Sequence, residues 1–298
     1  MKLRGIFPPL TTPFSADGDV DLRCLRKNIE RYNQTKLPGY VVNGSTSESV
    51  LLEWDEVEKI LGASREAAGS DKVMIAGTGS ESTAETLRNT KRAAALGFQA
   101  ALVRTPSYYK PFMTFEAETT HFFRVADSSP IPVLLYSVPI FTNYTVEAPL
   151  VAKLATHPNI VGIKESSGNV QRMKDIIAAT PKGFNALTGS ALTLSEVLEE
   201  GAVGAILAIS CVIPDACADF YEASRRGEKE RMEQIRKQAI APAAALTTKF
   251  GIAGIKWAMD RLGYYGGAPR APLLPVNESA KLEIDNILAS LRPTATVS

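Results

Sequence analysis

The stretch Ile160-Val161-Gly162-Ile163-Lys164-Glu165-Ser166-Ser167-Gly168 places a lysine at the end of an apolar run. The run is rich in β-branched residues, which is typical of a strand buried on both faces. A lysine enclosed at such a position tends to lose its proton, and the neutral amine attacks carbonyl groups to form a Schiff base. The alternative is that Lys164 is the first solvated residue after the strand, with its stem lying on apolar surface.

Strand-like segments alternate with helical patterns over the first three quarters of the chain. Counted from the Lys164 strand in both directions, there are eight strand-then-helix units, at a spacing of roughly 25–35 residues. The other strand-like segments are 5–11, 39–44, 73–76, 100–103, 131–136, 186–190 and 204–209. This pattern predicts a (β/α)8 TIM barrel in the α/β class. A doubly wound open sheet is disfavoured, because its first strand is followed by a glycine fingerprint where this chain has Pro8-Pro9.

Residues beyond about 225 follow a different pattern. Three helical patterns occur there without intervening strands, over residues 229–239, 245–262 and 279–291. They predict a C-terminal helical appendage to the barrel. We therefore divide the chain into a catalytic barrel, residues 1–225, and a C-terminal helical domain, residues 226–298.

The charge balance excludes several classes of partner. The chain has 33 Lys and Arg residues against 32 Asp and Glu residues, a net charge of +1. Such a chain has no basic field to attract nucleic acid or a membrane surface. It contains neither a signal peptide nor a long apolar span, so a cytoplasmic protein is expected.

Cysteines and histidines are few and scattered. Cys24, Cys211 and Cys217 form no metal-type cluster, and their odd number argues against a disulfide framework. Only His121 and His157 carry imidazoles. Catalysis by a histidine pair and a metal site are therefore both disfavoured.

Polar side chains occur at the ends of six predicted strands, where barrel enzymes carry their active sites. In chain order they are Gly44-Ser45-Thr46-Ser47-Glu48, Gly77-Thr78-Gly79, Tyr108-Tyr109, Tyr136, Lys164 with Ser166, and Gly189-Ser190. One amine, several phenols and several hydroxyls suit imine chemistry with a proton relay. Simpler roles are also open, since the tyrosines can be packing residues, Ser45 and Thr46 helix caps, and Glu48 a partner of a helix dipole.

Taken together, these motifs resemble the dihydrodipicolinate synthase and N-acetylneuraminate lyase family of class I, pyruvate-handling aldolases, over nearly the whole chain. The motifs that carry the likeness also include Thr105-Pro106-Ser107-Tyr108-Tyr109, Tyr136-Ser137-Val138-Pro139 and Gly162-Ile163-Lys164-Glu165. The resemblance implies a Schiff base between Lys164 and pyruvate or the 2-oxo end of a substrate. It also implies that Tyr136 shuttles a proton, and that Thr46 or Ser45 relays it and contacts the carboxylate.

Further expectations follow from the same resemblance. Tyr108 is expected to cross a tight dimer interface into the neighbour's site, in a homotetramer built as a dimer of dimers. Ile206 matches a position that lines the pyruvate end. No metal and no organic cofactor is required, because the lysine amine supplies the electron sink.

Several positions depart from particular branches of the family. Phe141 stands where the synthase branch has an arginine that grips the carboxylate of aspartate semialdehyde, and a phenyl ring cannot replace a bidentate guanidinium. The positions that match the lysine-feedback pocket of that branch hold Trp54, Glu81 and Ser107, which fit the pattern of that pocket poorly. Ala191-Leu192 stand where sialic acid lyases have an acidic pair that holds the sugar, which disfavours a long polyol.

The strongest likeness is to the 4-hydroxy-2-oxoglutarate aldolase branch. It rests on the 136–139 motif, on Ser166, on Gly189-Ser190-Ala191 and on the C-terminal run from Lys249 to Leu273. It predicts cleavage of a short 4-hydroxy-2-oxo acid to pyruvate and an aldehyde, with glyoxylate the expected aldehyde. The candidate substrate-binding residues are then Ser166, Gly189 and Phe141, in addition to Ser45, Thr46 and Ile206.

Two features argue against that branch, and other activities remain open. Ser47 replaces the usual glycine, which can be required for a positive φ, and Phe141 replaces a small polar residue. The main alternative is 4-hydroxy-tetrahydrodipicolinate (dihydrodipicolinate) synthase, which condenses pyruvate with aspartate semialdehyde. Another short-chain lyase or dehydratase and a catalytically silent 2-oxo-acid-binding protein are the remaining alternatives.

Overall fold

The computed structural model describes residues 1–291, in which eight strands alternate with helices. The strands are β1 Gly5–Phe7, β2 Gly39–Val42, β3 Val73–Gly77, β4 Ala100–Arg104, β5 Val133–Ser137, β6 Ile160–Glu165, β7 Asn185–Thr188 and β8 Gly204–Ile206. The helices up to β8 are α1 Leu22–Asn33, α2 Trp54–Ala67, α3 Thr83–Ala95, α4 Phe115–Ser128, α5 Pro139–Thr142, α6 Ala148–Leu154, α7 Val170–Ala179 and α8 Leu194–Glu199. The helices after it are α9 Pro214–Arg226, α10 Lys229–Ile235, α11 Ala241–Thr248, α12 Gly251–Arg261 and α13 Glu278–Ser290.

The eight strands form one sheet in the order β1-β8-β7-β6-β5-β4-β3-β2. The strands from β3 to β8 pair in parallel. Just after β1, the two ends of that order meet. The Leu10 N–H donates to the Val41 carbonyl at 2.8 Å, and the Val41 N–H donates to the Pro8 carbonyl at 3.0 Å. The predicted (β/α)8 barrel, followed by C-terminal helices, is confirmed.

Strand residues alternate between the two faces of the sheet, and this alternation fixes the direction of the site side chains. Leu135 of β5 and Ile163 of β6 belong to one apolar cluster with residues of the surrounding helices. Tyr136 and Lys164 follow them in sequence, and they therefore project to the opposite, inner face. Both are buried, each with 5% of its surface exposed.

The described chain divides into two compact units. The first unit contains residues 1–4 and 73–206, and so carries β3–β8 with α3–α8. Within it, the Leu3 N–H donates to Asn185 Oδ1 of β7 at 2.8 Å, which ties the first residues of the chain to the sheet.

The second unit contains residues 5–72 and the residues that follow Ile206, and so carries β1, β2, α1, α2 and α9–α13. Within it, the ring of Tyr32 stacks on that of Tyr264 with 4.7 Å between centroids. The Tyr32 hydroxyl donates to the Cys211 carbonyl at 2.7 Å. The expected division after residue 225 stays a prediction.

Three elements have other bounds than the sequence predicts, and proline or glycine explains two of these differences. The predicted first strand, 5–11, ends at Phe7, because Pro8 and Pro9 carry no N–H for a ladder. The predicted helix over 245–262 is two helices, since α12 begins at Gly251 with a φ of +60°, a conformation outside the right-handed helix. The predicted eighth strand, 204–209, ends at Ile206 and is followed by a 3₁₀ turn, Ala208–Cys211.

Two observations bear on the expectations drawn from composition. Within residues 1–291, none of the helices is long and apolar enough to cross a membrane. The three cysteines are free and buried. Burial raises the pKa of the Cys211 thiol to about 12, which keeps it protonated and unreactive at neutral pH. The cytoplasmic compartment stays a prediction.

Candidate active site

Lys164 and Tyr136 meet at the carboxyl ends of two neighbouring strands. They are register partners in the parallel pairing of β5 with β6, so their side chains leave the sheet side by side. The Nζ atom of Lys164 lies 4.1 Å from the centre of the Tyr136 ring. A buried lysine beside a phenol combines a nucleophile towards carbonyls with a group able to transfer a proton. Lys164 is therefore not the solvated strand-end residue of the simpler interpretation.

Ser166 and Gly189 lie together just beyond these strands. The Ser166 N–H donates to the Ser137 carbonyl at 3.0 Å, and the Gly189 N–H donates to the Glu165 carbonyl at 2.7 Å. A side chain at position 189 would overlap the Ser166 hydroxyl, so glycine keeps that hydroxyl in place. The Ser166 Oγ atom is buried and has no hydrogen-bond partner among residues 1–291. An unpaired buried hydroxyl two residues after the lysine is a group available to a ligand.

Ile206 and Phe141 have contrasting environments. Ile206 is the last residue of β8 and is 1% exposed. Phe141 lies in α5, the short helix that follows β5, and 66% of its surface is exposed. Ile206 is therefore a buried residue of the first unit, whereas the Phe141 ring lies at the surface.

Tyr108 is also at the surface, and Glu81 fixes the backbone that carries it. The Tyr108 side chain is 79% exposed and meets Tyr109 edge to face at 5.1 Å. One Glu81 oxygen accepts hydrogen bonds from the Ser107 and Tyr108 N–H groups, both at 2.9 Å, and the other pairs with Arg104 at 2.6 Å. Burial acts to raise the pKa of Glu81, but these three bonds outweigh it and hold the pKa below its usual range.

Ser45 and Thr46 form a 3₁₀ turn with Ser47 directly after β2, in the second unit. Ser47 is not among the positive-φ residues, so the serine holds no backbone conformation that would favour the glycine of the aldolase branch. Its hydroxyl instead supports the turn, accepting from the Gly44 N–H at 3.2 Å and donating to the Leu10 carbonyl at 2.5 Å. The serine thus supplies hydrogen bonds that a glycine would lack.

Glu48 differs most from its expected environment. It does not lie in the first turn of an α-helix, where a helix dipole would favour it, but between two 3₁₀ turns, with a φ of 60°. Its side chain is buried and paired with Lys256, a residue that no sequence pattern singles out. Sequence reasoning missed this partner because 208 residues separate the two.

Within the part of the chain that the structure describes, no group of three or more His, Cys, Asp or Glu side chains has an arrangement that could hold a metal ion. The expectation that the reaction needs neither metal nor organic cofactor stays a prediction.

Known proteins are similar to this chain in sequence and in fold. The family model of the dihydrodipicolinate synthetase family matches residues 2–291. A 4-hydroxy-tetrahydrodipicolinate synthase from an Exiguobacterium species is 34% identical over 280 residues, which cover 94% of this chain and 95% of that protein. A probable mitochondrial 4-hydroxy-2-oxoglutarate aldolase from Emericella nidulans is also 34% identical, over 282 residues that cover 93% of this chain and 91% of that protein.

A solved structure from the same group of proteins is similar to this chain in fold. The crystal structure of the chloride-inhibited dihydrodipicolinate synthase from Acinetobacter baumannii complexed with pyruvate matches with a TM-score of 0.92 and 29% identity. The match covers 97% of this chain and 98% of that one. Relatives of two different activities are thus equally similar to this chain in sequence.

Proposed function

The chain belongs to the dihydrodipicolinate synthetase family, and from that premise we propose that it is a Schiff-base-forming class I aldolase, a carbon–carbon lyase that releases pyruvate from a short 4-hydroxy-2-oxo acid. One observation carries the proposal: the buried Lys164 amine lies 4.1 Å from the centre of the Tyr136 ring, on the inner face of neighbouring strands. A related synthase whose crystal structure contains pyruvate supports pyruvate as the common ligand.

The reaction begins at the amine. Unprotonated Lys164 attacks the 2-oxo carbon, and loss of water gives an iminium ion. The positive nitrogen then serves as the electron sink for the next step. In this proposal Tyr136, whose ring lies beside the lysine amine, supplies and removes the protons of this exchange.

Carbon–carbon cleavage follows from the iminium. Tyr136 accepts the proton of the 4-hydroxyl group, the bond between carbons three and four breaks, and its electron pair moves to the iminium as an enamine. The aldehyde leaves, the enamine is protonated on carbon three, and hydrolysis releases pyruvate and free Lys164. In this proposal Thr46 or Ser45 relays the proton, and their backbone binds the pyruvate carboxylate.

The substrate is a short acid, with 4-hydroxy-2-oxoglutarate and its product glyoxylate as the best-supported pair. Ala191-Leu192 offer no acidic grip for a long polyol. The unpaired Ser166 hydroxyl beside Gly189 offers one hydrogen bond to a substrate oxygen. The Emericella relative, a probable 4-hydroxy-2-oxoglutarate aldolase, favours this choice.

The second candidate is a 4-hydroxy-tetrahydrodipicolinate synthase, which shares the pyruvate half of the chemistry. The Exiguobacterium synthase, at the same 34% identity, favours it. Phe141 speaks against it, because an apolar ring stands where the synthase branch has the arginine for aspartate semialdehyde.

The quaternary structure proposed with this function is a homotetramer, a dimer of dimers in which Tyr108 reaches the neighbour's site. The observation in its favour is a run of exposed aromatic side chains on the segment that carries Tyr108. The run consists of Tyr108, Tyr109, Phe112 and Phe115. Aromatic side chains exposed close together are a common feature of protein–protein interfaces.

Imine formation is tested by reduction with borohydride in the presence of pyruvate. We expect a carboxyethyl adduct, located on Lys164 by peptide mass spectrometry. Lys164→Met serves as the matched control and should give no adduct at that peptide. Absence of the adduct from folded wild-type protein would reject Schiff-base chemistry.

The two candidate reactions are separated by two assays run on one preparation. Pyruvate release from 4-hydroxy-2-oxoglutarate measures cleavage, and loss of aspartate semialdehyde in the presence of pyruvate measures condensation. We expect cleavage to be the faster reaction by kcat/KM. Efficient condensation with negligible cleavage would replace the aldolase by the synthase.

A further inference from the structure

A fully buried ion pair joins the turn after β2 to the C-terminal helix α12. The Nζ atom of Lys256 lies 2.7 Å from Glu48 Oε1, and both side chains are 0% exposed. The ammonium also donates to the carbonyls of Thr12 and Ala268, each at 2.9 Å. These three acceptors engage all three of its protons. The buried charge is thus compensated without solvent.

The second carboxylate oxygen of Glu48 is bound by Arg270, two residues after the Ala268 that binds Lys256. Glu48 Oε2 accepts from the Arg270 N–H at 2.7 Å. The Arg270 guanidinium in turn donates to both oxygens of Glu56, at 2.6 and 2.7 Å, and to the Gly18 carbonyl. Glu56 lies in the first turn of α2. Both carboxylate oxygens of Glu48 are therefore fixed by groups that are themselves held.

The backbone at Glu48 needs such support. Its φ and ψ are 60° and 34°, a left-handed conformation that is unfavourable for a residue with a Cβ. This residue ends the Ser45–Ser47 turn and starts the Ser49–Leu51 turn. Release of the side chain would let the backbone return to a commoner conformation and shift the turn before it.

We infer that the Glu48–Lys256 pair positions the Ser45–Thr46 turn for the carboxylate of a 2-oxo acid. The inference rests on the proposed function, which assigns that turn to the pyruvate end of the substrate. Neither Glu48 nor Lys256 touches the substrate, so both are positioning residues. A buried ion pair adds little stability over an apolar pair of equal volume, but its hydrogen bonds have fixed directions, which suits a positioning role.

The test removes each charge in turn. Glu48→Gln keeps the shape of the side chain, but its amide nitrogen cannot accept from the Arg270 N–H. Lys256→Met keeps most of the stem and removes the ammonium. In both variants we expect the KM for 4-hydroxy-2-oxoglutarate to rise about tenfold, in line with loss of a charged hydrogen bond, while kcat changes less than threefold. Hydrogen–deuterium exchange should increase in the peptide covering residues 44–51.

Two controls separate positioning from stability. Phe220→Leu, a change of a 0% exposed residue in α9 of the same unit, should lower Tm without altering KM or the exchange of residues 44–51. The double variant Glu48→Gln/Lys256→Met leaves no unpaired buried charge and should regain Tm but not KM. A KM that recovers along with Tm, or an unchanged KM and exchange in the single variants, would overturn the inference.

The exchange measurement is independent of the reaction. Faster exchange of residues 44–51 in the single variants supports the positioning of the turn, whichever substrate it binds. Failure of wild-type protein to form the Lys164 adduct would reject the proposed function alone.

Discussion

At the scale of single residues, the amine of Lys164 and the phenol of Tyr136 were predictable, whereas the buried Glu48–Lys256 pair was not. Lys164 ends an apolar run, and Tyr136 ends the run before it in the barrel, so the parallel register that pairs them follows from the strand order. Periodicity carries no signal for Glu48 and Lys256, which lie 208 residues apart. A buried ion pair between distant segments can be found only after the chain has folded.

Tyr136→Phe should separate imine formation from proton transfer. The variant keeps an aromatic ring over the Lys164 amine but has no hydroxyl. We expect kcat for pyruvate release to fall about 10²- to 10⁴-fold, the usual effect of losing a general acid–base group. Adduct formation on Lys164 with pyruvate and borohydride should still be detectable.

The control for that variant is another buried tyrosine. Tyr40→Phe also loses one hydrogen bond, from its hydroxyl to Asn33 Oδ1 at 2.9 Å, but it lies in β2 and has no proposed part in proton transfer. It should keep the wild-type kcat. A Tyr136→Phe enzyme within threefold of wild type would show that the phenol is not the proton carrier.

Phe141→Arg tests which aldehyde the site accepts. A guanidinium can bind a distal carboxylate through two hydrogen bonds, which the phenyl ring cannot. We expect kcat/KM for condensation with aspartate semialdehyde to rise at least about tenfold, a gain typical of a charged hydrogen bond. Ile140→Arg, which adds the same charge at a neighbouring residue that is 80% exposed, is the matched control. Equal effects of the two substitutions would place residue 141 outside the substrate site.

At the scale of elements, strand order was more predictable than element length. The alternation of apolar runs with helical patterns was sufficient to predict eight strands in a barrel. The predicted element lengths were wrong where one or two residues determine them. Pro8 and Pro9 end the first strand early, and a helix predicted as continuous is divided at Gly251. The irregular 3₁₀ turns carry no periodicity at all, and one of them holds Ser45 and Thr46.

Helix α4 carries two buried titratable groups on one face, Glu118 and His121. Glu118 is 0% exposed, and neither of its carboxylate oxygens has a hydrogen-bond partner among residues 1–291. His121 Nδ1 lies 2.9 Å from Thr83 Oγ1. Burial, and then the charge of Glu81, raises the pKa of Glu118 to about 8. Burial lowers the pKa of His121 to about 4, against the opposing effect of Glu81.

These shifts predict a stability that depends on pH. Between pH 4.5 and 8 the folded chain keeps a proton on Glu118 that the unfolded chain has released, so the free energy of unfolding falls as pH rises through that window. Between pH 6.5 and 4 the unfolded chain gains a proton on His121 that the folded chain excludes, so stability also falls as pH decreases. The contribution of Glu118 is therefore lost as pH rises from 4.5 to 8, and that of His121 as pH falls from 6.5 to 4.

Glu118→Gln should remove this loss, because glutamine has the shape of the protonated acid. We expect a Tm close to that of wild type at pH 5 and a clearly higher Tm than wild type at pH 9, since each pKa unit corresponds to about 1.4 kcal/mol. Glu116→Gln, at an exposed position of the same helix, should keep the wild-type pH dependence. Identical losses of Tm from pH 6 to pH 9 in wild type and Glu118→Gln would contradict the assignment.

At the scale of the whole molecule, the proposed role of Tyr108 requires a second subunit. If Tyr108 acts in the neighbour's site, Tyr108→Ala and Lys164→Met damage different sites of one dimer. Each variant alone should be nearly inactive. A mixed dimer would contain one site with both residues intact, so random mixing should restore about a quarter of the wild-type activity.

The mixing experiment has a clear opposite outcome. If Tyr108 acts within its own chain, no mixture of the two variants can contain an intact site, and activity will stay at the level of the separate variants. Sedimentation of the wild-type protein at the mass of one chain would likewise reject the proposed assembly.

The second unit combines residues from the N-terminal and C-terminal parts of the sequence. It can therefore fold completely only after the C-terminal part has been synthesised. Residues 73–206 leave the ribosome as one continuous stretch of the first unit, but residues 5–72 must wait for the residues after Ile206. Glu48 is synthesised 208 residues before Lys256, a delay of about 10–40 s at typical rates of translation. During that interval the Glu48 carboxylate lacks its ammonium partner, and the early part of the second unit cannot yet complete its packing.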